Sequence, residues 1–169
     1  MANKTAASNI ATTLKRLCTI VEGMGYNCEV IDDELFIFTA TTHTHRGEAI
    51  TININVTANG ENNNIGDGNY IAWEVFIPCH VENEEDERDI AMYIMELIEE
   101  VDMIAIQYVG HSRQILMSRV DCISEELPDS FIINHIISPS INEFLHIFRL
   151  IENSQEPPQE IPTTKRYLN

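Results

Sequence analysis

Two histidines separated by one residue are the first candidates for chemistry in this chain. His43 and His45 lie in a polar stretch, and residues i and i+2 of a strand point to the same face. Both imidazoles could therefore bind one metal ion, with His80 as a third ligand if the sheet brings the segments together. The alternative is a solvated turn with two exposed histidines, which we favour because zinc sites usually show closer ligand pairs. We predict no metal, no cofactor and no catalytic residue.

Cysteine supplies the other reactive side chains. Cys18, Cys28, Cys79 and Cys122 are far apart in the sequence, lie in apolar segments and form no C-x-x-C pair. Cys79 precedes His80 and could be a thiol nucleophile, but no glycine-rich elbow or helix start accompanies it to lower its pKa. We predict reduced, mostly buried thiols in a cytoplasmic protein, and sequence alone leaves a disulfide open.

Acidic side chains form two runs that could bind a cation or a protein partner. The first run is Asp32, Asp33 and Glu34; the second extends from Glu82 to Asp89 and includes Glu84, Glu85, Asp86 and Glu87. Neither run matches the EF-hand calcium loop. A turn explains the first run, and an acidic first helical turn at the positive end of the macrodipole explains the second. Both runs are candidate partner-binding residues.

Composition predicts one soluble domain with a strongly acidic surface. The chain has 169 residues, 44% of them hydrophobic, and a formal net charge of -17. Such a surface repels nucleic-acid phosphates and anionic membranes and attracts basic protein surfaces. No apolar run approaches the roughly 20 residues that span a bilayer. We predict a single domain over residues 1–152 and a disordered tail over residues 153–169, which holds three prolines after Asn153.

Hydrophobic periodicity predicts the secondary structure that positions these side chains. Apolar residues at spacings of three and four predict helices over Ala6–Gly23 and Glu84–Val101. Strands are predicted over Tyr26–Ile31, Glu34–Ala40, Glu48–Thr57, Tyr70–Val81, Met103–Val109 and Gln114–Cys122, with Thr41–Gly47 as a polar turn and Ala58–Asn69 as an asparagine-rich loop. Glu48–Thr57 alternates apolar with polar residues, which indicates an antiparallel sheet with one buried face. The other face could meet solvent, a second subunit or a client segment.

The end of the chain contains two further signals. Ser130–Ile137 fits either a short helix or an irregular apolar segment. Pro139 predicts an end to that segment, and Ser140 with Glu143 predicts a capping box at the start of a last helix. Pro78 predicts a strand end or a sheet edge, and such an edge could accept an added strand.

The element order resembles that of type III secretion chaperones and YbjN-type bacterial proteins. Ile20–Tyr26 is similar to the helix-to-strand junction of that fold, and Asn83–Leu97 is similar to its second helix, which a hairpin and a closing helix with Phe144, Leu145 and Phe148 follow. The resemblance covers residues 6–152. The patterns themselves predict an α+β fold of order α-β-β-β-β-α-β-β-α, and the resemblance implies that the helices pack on a twisted antiparallel sheet. It also implies a protein partner and homodimerisation, and it offers no catalytic residues.

Three functions follow from these observations. The first is a non-enzymatic protein-binding module, chaperone-like or regulatory, that acts through an apolar groove or sheet surface. The second is an acidic inhibitor that mimics nucleic-acid charge and blocks a basic cleft, which requires the acids to cluster on one face. The third is a metal-dependent enzyme using His43, His45 and His80. We favour the protein-binding module, with no direct nucleic-acid or membrane partner and with a homodimer as its assembly.

Overall fold

The computed structural model describes the backbone of residues 2–44, 46–58 and 69–154, and the side chains of residues 10–44, 46–58 and 69–152. His45, most of the asparagine-rich loop and the tail from residue 155 onward lie outside the described residues, so the predictions for them stay predictions. None of the described helices is both long enough and apolar enough to cross a membrane.

The described chain has the predicted α+β fold and element order. The elements are α1 (Ala2–Gly23), β1 (Cys28–Val30), β2 (Leu35–His43), β3 (Ala49–Ala58), β4 (Asn69–Pro78), α2 (Glu84–Ile98), β5 (Ala105–Val109), β6 (Gln114–Ile123), α3 (Asp129–Ile132) and α4 (Ser138–Ser154). A π-helical segment, Ile133–Ile137, joins α3 to α4. The polar turn predicted over Thr41–Gly47 is wrong in its first part, because β2 continues through His43. Thr41 and Thr42 pair there with β3, and β-branched side chains suit a strand.

The six strands form one antiparallel sheet in the order β1-β2-β3-β4-β6-β5. Helix α2 connects β4 to β5, and β6 then returns between those two strands. It pairs with β4 over its whole length, from Asn69 opposite Ile123 to Pro78 opposite Gln114. Among the described strands, β1 and β5 are therefore the edges of the sheet. Pro78 does end its strand, but the predicted sheet edge at Pro78 is wrong because β4 lies inside the sheet.

One face of the sheet carries the core. In β3, Ile52, Ile54 and Val56 are buried, whereas the intervening Thr51 and Asn53 are exposed, which confirms the predicted alternation. Side chains on the same face of β2, β4, β5 and β6 join apolar residues of all the helical elements in one cluster. The described helices therefore lie on this face, and no described helix covers the opposite face of the sheet.

The closing helical stretch runs without a break through Pro139, so the predicted helix end there is wrong. Proline has no N–H, and in a regular helix its ring clashes with the carbonyl four residues earlier, which here belongs to His135. The π-helical segment lies directly before the proline, and within it Ser138 N donates to Ile133 O, one residue further back than in an α-helix. This wider turn lets the helix continue past the proline.

Ser140 and Glu143 do not form the predicted capping box, because no helix begins at Ser140. The buried Ser140 hydroxyl instead donates to Ile136 O at 2.5 Å within the helix. Glu143 Oε1 accepts from the backbone N–H groups of Asp102 and Met103, at 2.5 Å and 3.0 Å. The carboxylate therefore ties α4 to the segment between α2 and β5.

A nearly buried ion pair supports the π-helical segment from the sheet. Arg119 of β6 donates to Asp121 Oδ1 from Nε at 3.1 Å and from Nη2 at 2.7 Å. Nη2 also donates to His135 O at 3.4 Å, which is the carbonyl that loses its α-helical partner at Pro139. Arg119 lies opposite Trp73 of β4 in the sheet register. A charged pair thus occupies the face of the sheet that otherwise packs against apolar helix residues.

Candidate functional site

The two described histidines of the predicted metal site lie apart. His43 is the exposed last residue of β2. His80 follows β4, and its Nε2 lies 2.8 Å from Glu82 Oε1 on the surface. Strand β3 lies between β2 and β4, so these two strands are on the order of 10 Å apart. Among the described residues, one set of three possible ligands converges, and it contains neither histidine.

Cys79 is half-buried at the end of β4, where its Sγ donates to Ile77 O at 3.7 Å. Burial raises the pKa of the Cys79 thiol, and a backbone hydrogen bond at Ile115 opposes this only in part. A raised pKa lowers the thiolate fraction, which is the opposite of what an activated nucleophile needs.

The second acidic run forms the start of α2. Asn83 Oδ1 accepts from Glu85 N at 2.8 Å and from Asp86 N at 3.1 Å. Asp86 Oδ2 in turn accepts from Asn83 N at 3.2 Å, so this pair makes a reciprocal capping box. The remaining carboxylates of this turn are exposed: Glu84, Glu85 and Glu87. Asp86 therefore has a structural task, Glu87 lies beside Tyr108, and Glu84 and Glu85 are available to a partner.

The first acidic run forms the connection between β1 and β2. Asp32 Oδ1 accepts from Glu34 N at 2.8 Å and fixes the turn, and Asp33 is exposed. Because β1 to β4 alternate in direction, this turn lies at the end of the sheet opposite to the end from which β4 leads into α2. The two acidic runs therefore lie at opposite ends of the sheet rather than together.

A groove of about 530 Å³ lies between α1 and the β1–β2 hairpin. Its apolar lining includes Leu14 of α1 and Val30, Leu35 and Phe36 of the hairpin. Leu14 and Phe36 are buried and form the floor, whereas the Val30 side chain is 64% exposed. The next residue, Ile31, is 49% exposed. Val30 therefore stands at the open side of the groove, whereas the exposed Ile31 is not part of its lining.

The charged lining of this groove is predominantly acidic. Glu22 lies at the end nearer the C-terminus of α1, Asp32 and Asp33 lie at the hairpin, and Lys15 is the cation among the lining residues. Three carboxylates thus face one ammonium group around an apolar floor. The arrangement suits a segment that combines apolar side chains with more than one positive charge.

Comparison with known proteins gives no relative. No protein-family model, no curated protein and no solved structure matches the chain.

Three ligand-type side chains converge at one end of the groove, and sequence spacing did not reveal them. The ligand atoms of Cys18, Glu22 and Cys28 all lie within 4.8 Å of one another. Burial, the neighbouring Cys18 and Glu22 raise the pKa of Cys28 to about 12, and burial also raises the pKa of Cys18. The cysteines are ten residues apart. The sequence did contain one signal for this cluster. Cys18 and Glu22 are four residues apart on a predicted helix, and a glycine-containing turn then brings the chain back beside that helix.

Two apolar surfaces lie outside the groove. Helix α2 exposes Met92, Met95 and Ile98 along one side, at 60%, 70% and 48%. The uncovered face of the sheet exposes Phe76 and Val120, at 42% and 52%. Either surface fits the predicted apolar helix or sheet face of a dimer.

The uncovered face also carries a carboxyl group near its centre. Glu74 of β4 lies between Asn55 of β3 and Ser118 of β6 in the strand register. Burial raises the pKa of the Glu74 carboxyl above its usual value. The surroundings of Glu74 therefore favour its neutral carboxyl form over the ionised form.

Proposed function

We propose that the protein is a non-enzymatic binding module whose groove between α1 and the β1–β2 hairpin takes a segment of a partner protein. The segment carries apolar side chains flanked by Lys or Arg. The proposal includes a chaperone-like or regulatory role in the cytoplasm, a homodimeric assembly and kinship with the YbjN-type and type III secretion chaperone-like fold. It includes no direct contact with nucleic acid or membrane.

The observation that carries this proposal is the combination of an apolar floor and an acidic rim in one groove. Leu14 and Phe36 offer apolar surface, while Glu22, Asp32 and Asp33 surround it. Burying an apolar side chain contributes about 1.5–3 kcal/mol, and exposed charge pairs add mainly orientation and association rate. Apolar contacts would therefore supply affinity, and the acidic rim would select basic segments.

The edge of the sheet beside the groove supports an extended segment. Ile31 N donates to Leu35 O, so Ile31 and Leu35 form a hydrogen-bonded pair. Such pairs alternate along an antiparallel ladder, so the N–H and C=O groups of Cys28 and Val30 point away from β2. β1 is an edge strand, and no described strand pairs with its outer side. An added strand could use these groups while its side chains enter the groove.

The positions of the acids favour the groove over charge mimicry. A nucleic-acid mimic needs its carboxylates on one continuous face, and the two acidic runs lie at opposite ends of the sheet. The first run borders an apolar groove, and Asp86 in the second run is engaged in the helix cap. A partner segment would thus meet one run at a time.

Affinity selection with a random peptide library, followed by fluorescence anisotropy of the selected labelled peptides, tests the proposal. We expect the selected peptides to combine apolar residues with Lys or Arg. Val30→Glu should weaken their binding at least tenfold, because about 1.4 kcal/mol of apolar contact corresponds to that factor. Asp32→Asn with Asp33→Asn should weaken binding and reduce its salt dependence, and Asn can keep the Asp32 turn bond.

A matched control separates local recognition from overall charge. Glu84→Gln with Glu85→Gln removes the same charge at the opposite end of the sheet and should leave peptide affinity unchanged. Equal losses in the two double variants would contradict the groove and favour charge mimicry. Peptide binding that is indifferent to Val30→Glu would also contradict it.

A further inference from the structure

We propose that Cys18, Glu22 and Cys28 form a binding site for a thiophilic divalent metal ion of the Zn²⁺ type, with an open coordination position towards the groove. The three ligand atoms lie within 4.8 Å of one another. Two sulfurs and one carboxylate oxygen are a donor set that zinc accepts. The site does not depend on peptide binding, because its ligands belong to this chain alone.

The local fold explains why these three residues meet. Cys18 and Glu22 are four residues apart on α1, so they lie one above the other on the same side of the helix. Gly25, with φ of +93°, then takes a backbone conformation that reverses the chain. Strand β1 returns beside α1, and its first residue is Cys28. Cys28 pairs with the buried Phe38, so its side chain is on the helix-facing side of the sheet.

The spacing of the donors is close to what a metal ion requires. Zinc binds sulfur at about 2.3 Å and carboxylate oxygen at about 2.0–2.2 Å, so tetrahedral ligands are separated by roughly 3.5–3.8 Å. The three atoms here have an upper separation of 4.8 Å, so a contraction of about 1 Å from side-chain rotation is sufficient. Glu22 is exposed and Cys28 half-buried, which leaves their side chains room to move.

The groove supplies both an entry route and the free position. Cys18 is buried, but it still forms part of the groove lining, together with Glu22. An ion can therefore enter from solvent, bind three protein ligands and keep water in the fourth position, as three-ligand zinc sites do. A bound cation would also offset the Glu22 carboxylate beside the buried Cys18 and the half-buried Cys28. Since a coordinating thiol is deprotonated outright, binding should release about two protons per ion.

Cobalt titration of the reduced, chelator-stripped protein tests the site. We expect one equivalent of Co²⁺ to produce thiolate-to-cobalt charge-transfer absorption, and Zn²⁺ to displace it. Glu22→Gln and Cys28→Ser should each weaken binding by more than the roughly 10–100-fold that loss of an outer-shell partner causes. Both residues lie outside the fully buried core, and circular dichroism of each variant confirms that it folds. Cys79→Ser and Cys122→Ser are the matched controls and should bind Co²⁺ like the wild type.

Several outcomes would overturn the site. Absence of cobalt–thiolate absorption at micromolar protein would do so, as would undiminished binding in Cys28→Ser. A Cys18–Cys28 disulfide that persists in mild reductant, detected by mass spectrometry without reduction, would also overturn the site, because the two sulfurs would then form a covalent crosslink instead of binding a metal ion. Peptide affinity is measured separately, so loss of the metal site leaves the proposed function standing, and loss of peptide binding leaves the metal site standing.

Discussion

Replacing Arg119 by Met should destabilise the protein strongly, although Arg119 is remote from the groove. The side chains of Arg119 and Asp121 are 11% and 13% exposed. The substitution keeps an unbranched side chain but removes both hydrogen bonds to Asp121 Oδ1 and the bond to His135 O. Asp121 Oδ2 has no hydrogen-bond partner among the described residues, so the carboxylate is left nearly buried without compensation.

The expected magnitude follows from that uncompensated charge. Removing one partner of a buried ion pair lowers the free energy of unfolding by about 3–5 kcal/mol. About one tenth of each side chain still reaches water, so we take the lower end, about 3 kcal/mol. With a urea m-value of about 2 kcal/mol/M, the denaturation midpoint should fall by about 1.5 M. The melting temperature should fall by roughly 6–12 °C.

Urea denaturation followed by far-UV circular dichroism and by fluorescence measures this change. Trp73 is the single tryptophan and is 1% exposed, so its emission reports the same core. Arg119→Met combined with Asp121→Leu should recover most of the loss, because replacing both charges by apolar groups is nearly neutral apart from about 1 kcal/mol for the His135 carbonyl. Arg149→Met, at an exposed arginine, should change stability by less than about 1 kcal/mol.

Two results would refute this reasoning. A loss below about 1 kcal/mol in Arg119→Met would mean that water reaches Asp121 freely, against the burial described above. A double variant that is less stable than Arg119→Met would mean that packing, rather than the unpaired carboxylate, determines the effect.

Three other changes test separate parts of the structure. Glu74→Gln should raise the urea midpoint relative to the wild type at pH 7 but not near pH 4, because the raised pKa of Glu74 means that folding disfavours its ionised form. A variant whose midpoint equals that of the wild type at both pH values would argue against this. His43→Ala with His45→Ala should leave peptide binding and stability nearly unchanged, and a large loss together with loss of a bound metal would reverse that prediction. The predicted homodimer should be disrupted by Met95→Glu if α2 forms its interface, and light scattering decides it: a concentration-independent monomer mass for the wild type would contradict the dimer.

Periodic patterns in the sequence predicted the elements well. The alternation over Glu48–Thr57 gave β3 nearly to the residue, and the acidic turn gave the start of α2 at Glu84. The closing helix was predicted less well, because the prediction assumed that Pro139 must stop a helix. A preceding π turn and a long-range donor, Arg119, let the helix continue, and neither is visible in local sequence.

The groove and its ligand set were harder to predict for a related reason. Asp32 and Asp33 could be named from sequence, but which helix would lie beside them depends on how α1 packs on the sheet. Cys18 and Cys28 were described as far apart, because the nine residues between them conceal a helix end and a reversal. Side-chain convergence across such a reversal requires the packing of helix on strand, which the pattern does not specify.

Strand β6 lies between β4 and β5, so the sheet consists of two groups of strands that are each connected through hairpins. Pairing between β4 and β6 joins the two groups. Strands β1 to β4 follow one another as hairpins, and β5 with β6 forms another, so the β4–β6 ladder alone brings together sequence-distant strands. Because long-range loop closure slows folding, formation of this ladder is expected to limit the folding rate. Backbone amides of β4 and β6 should then exchange with solvent only on global unfolding, while those of the three-residue edge strand β1 exchange through local opening.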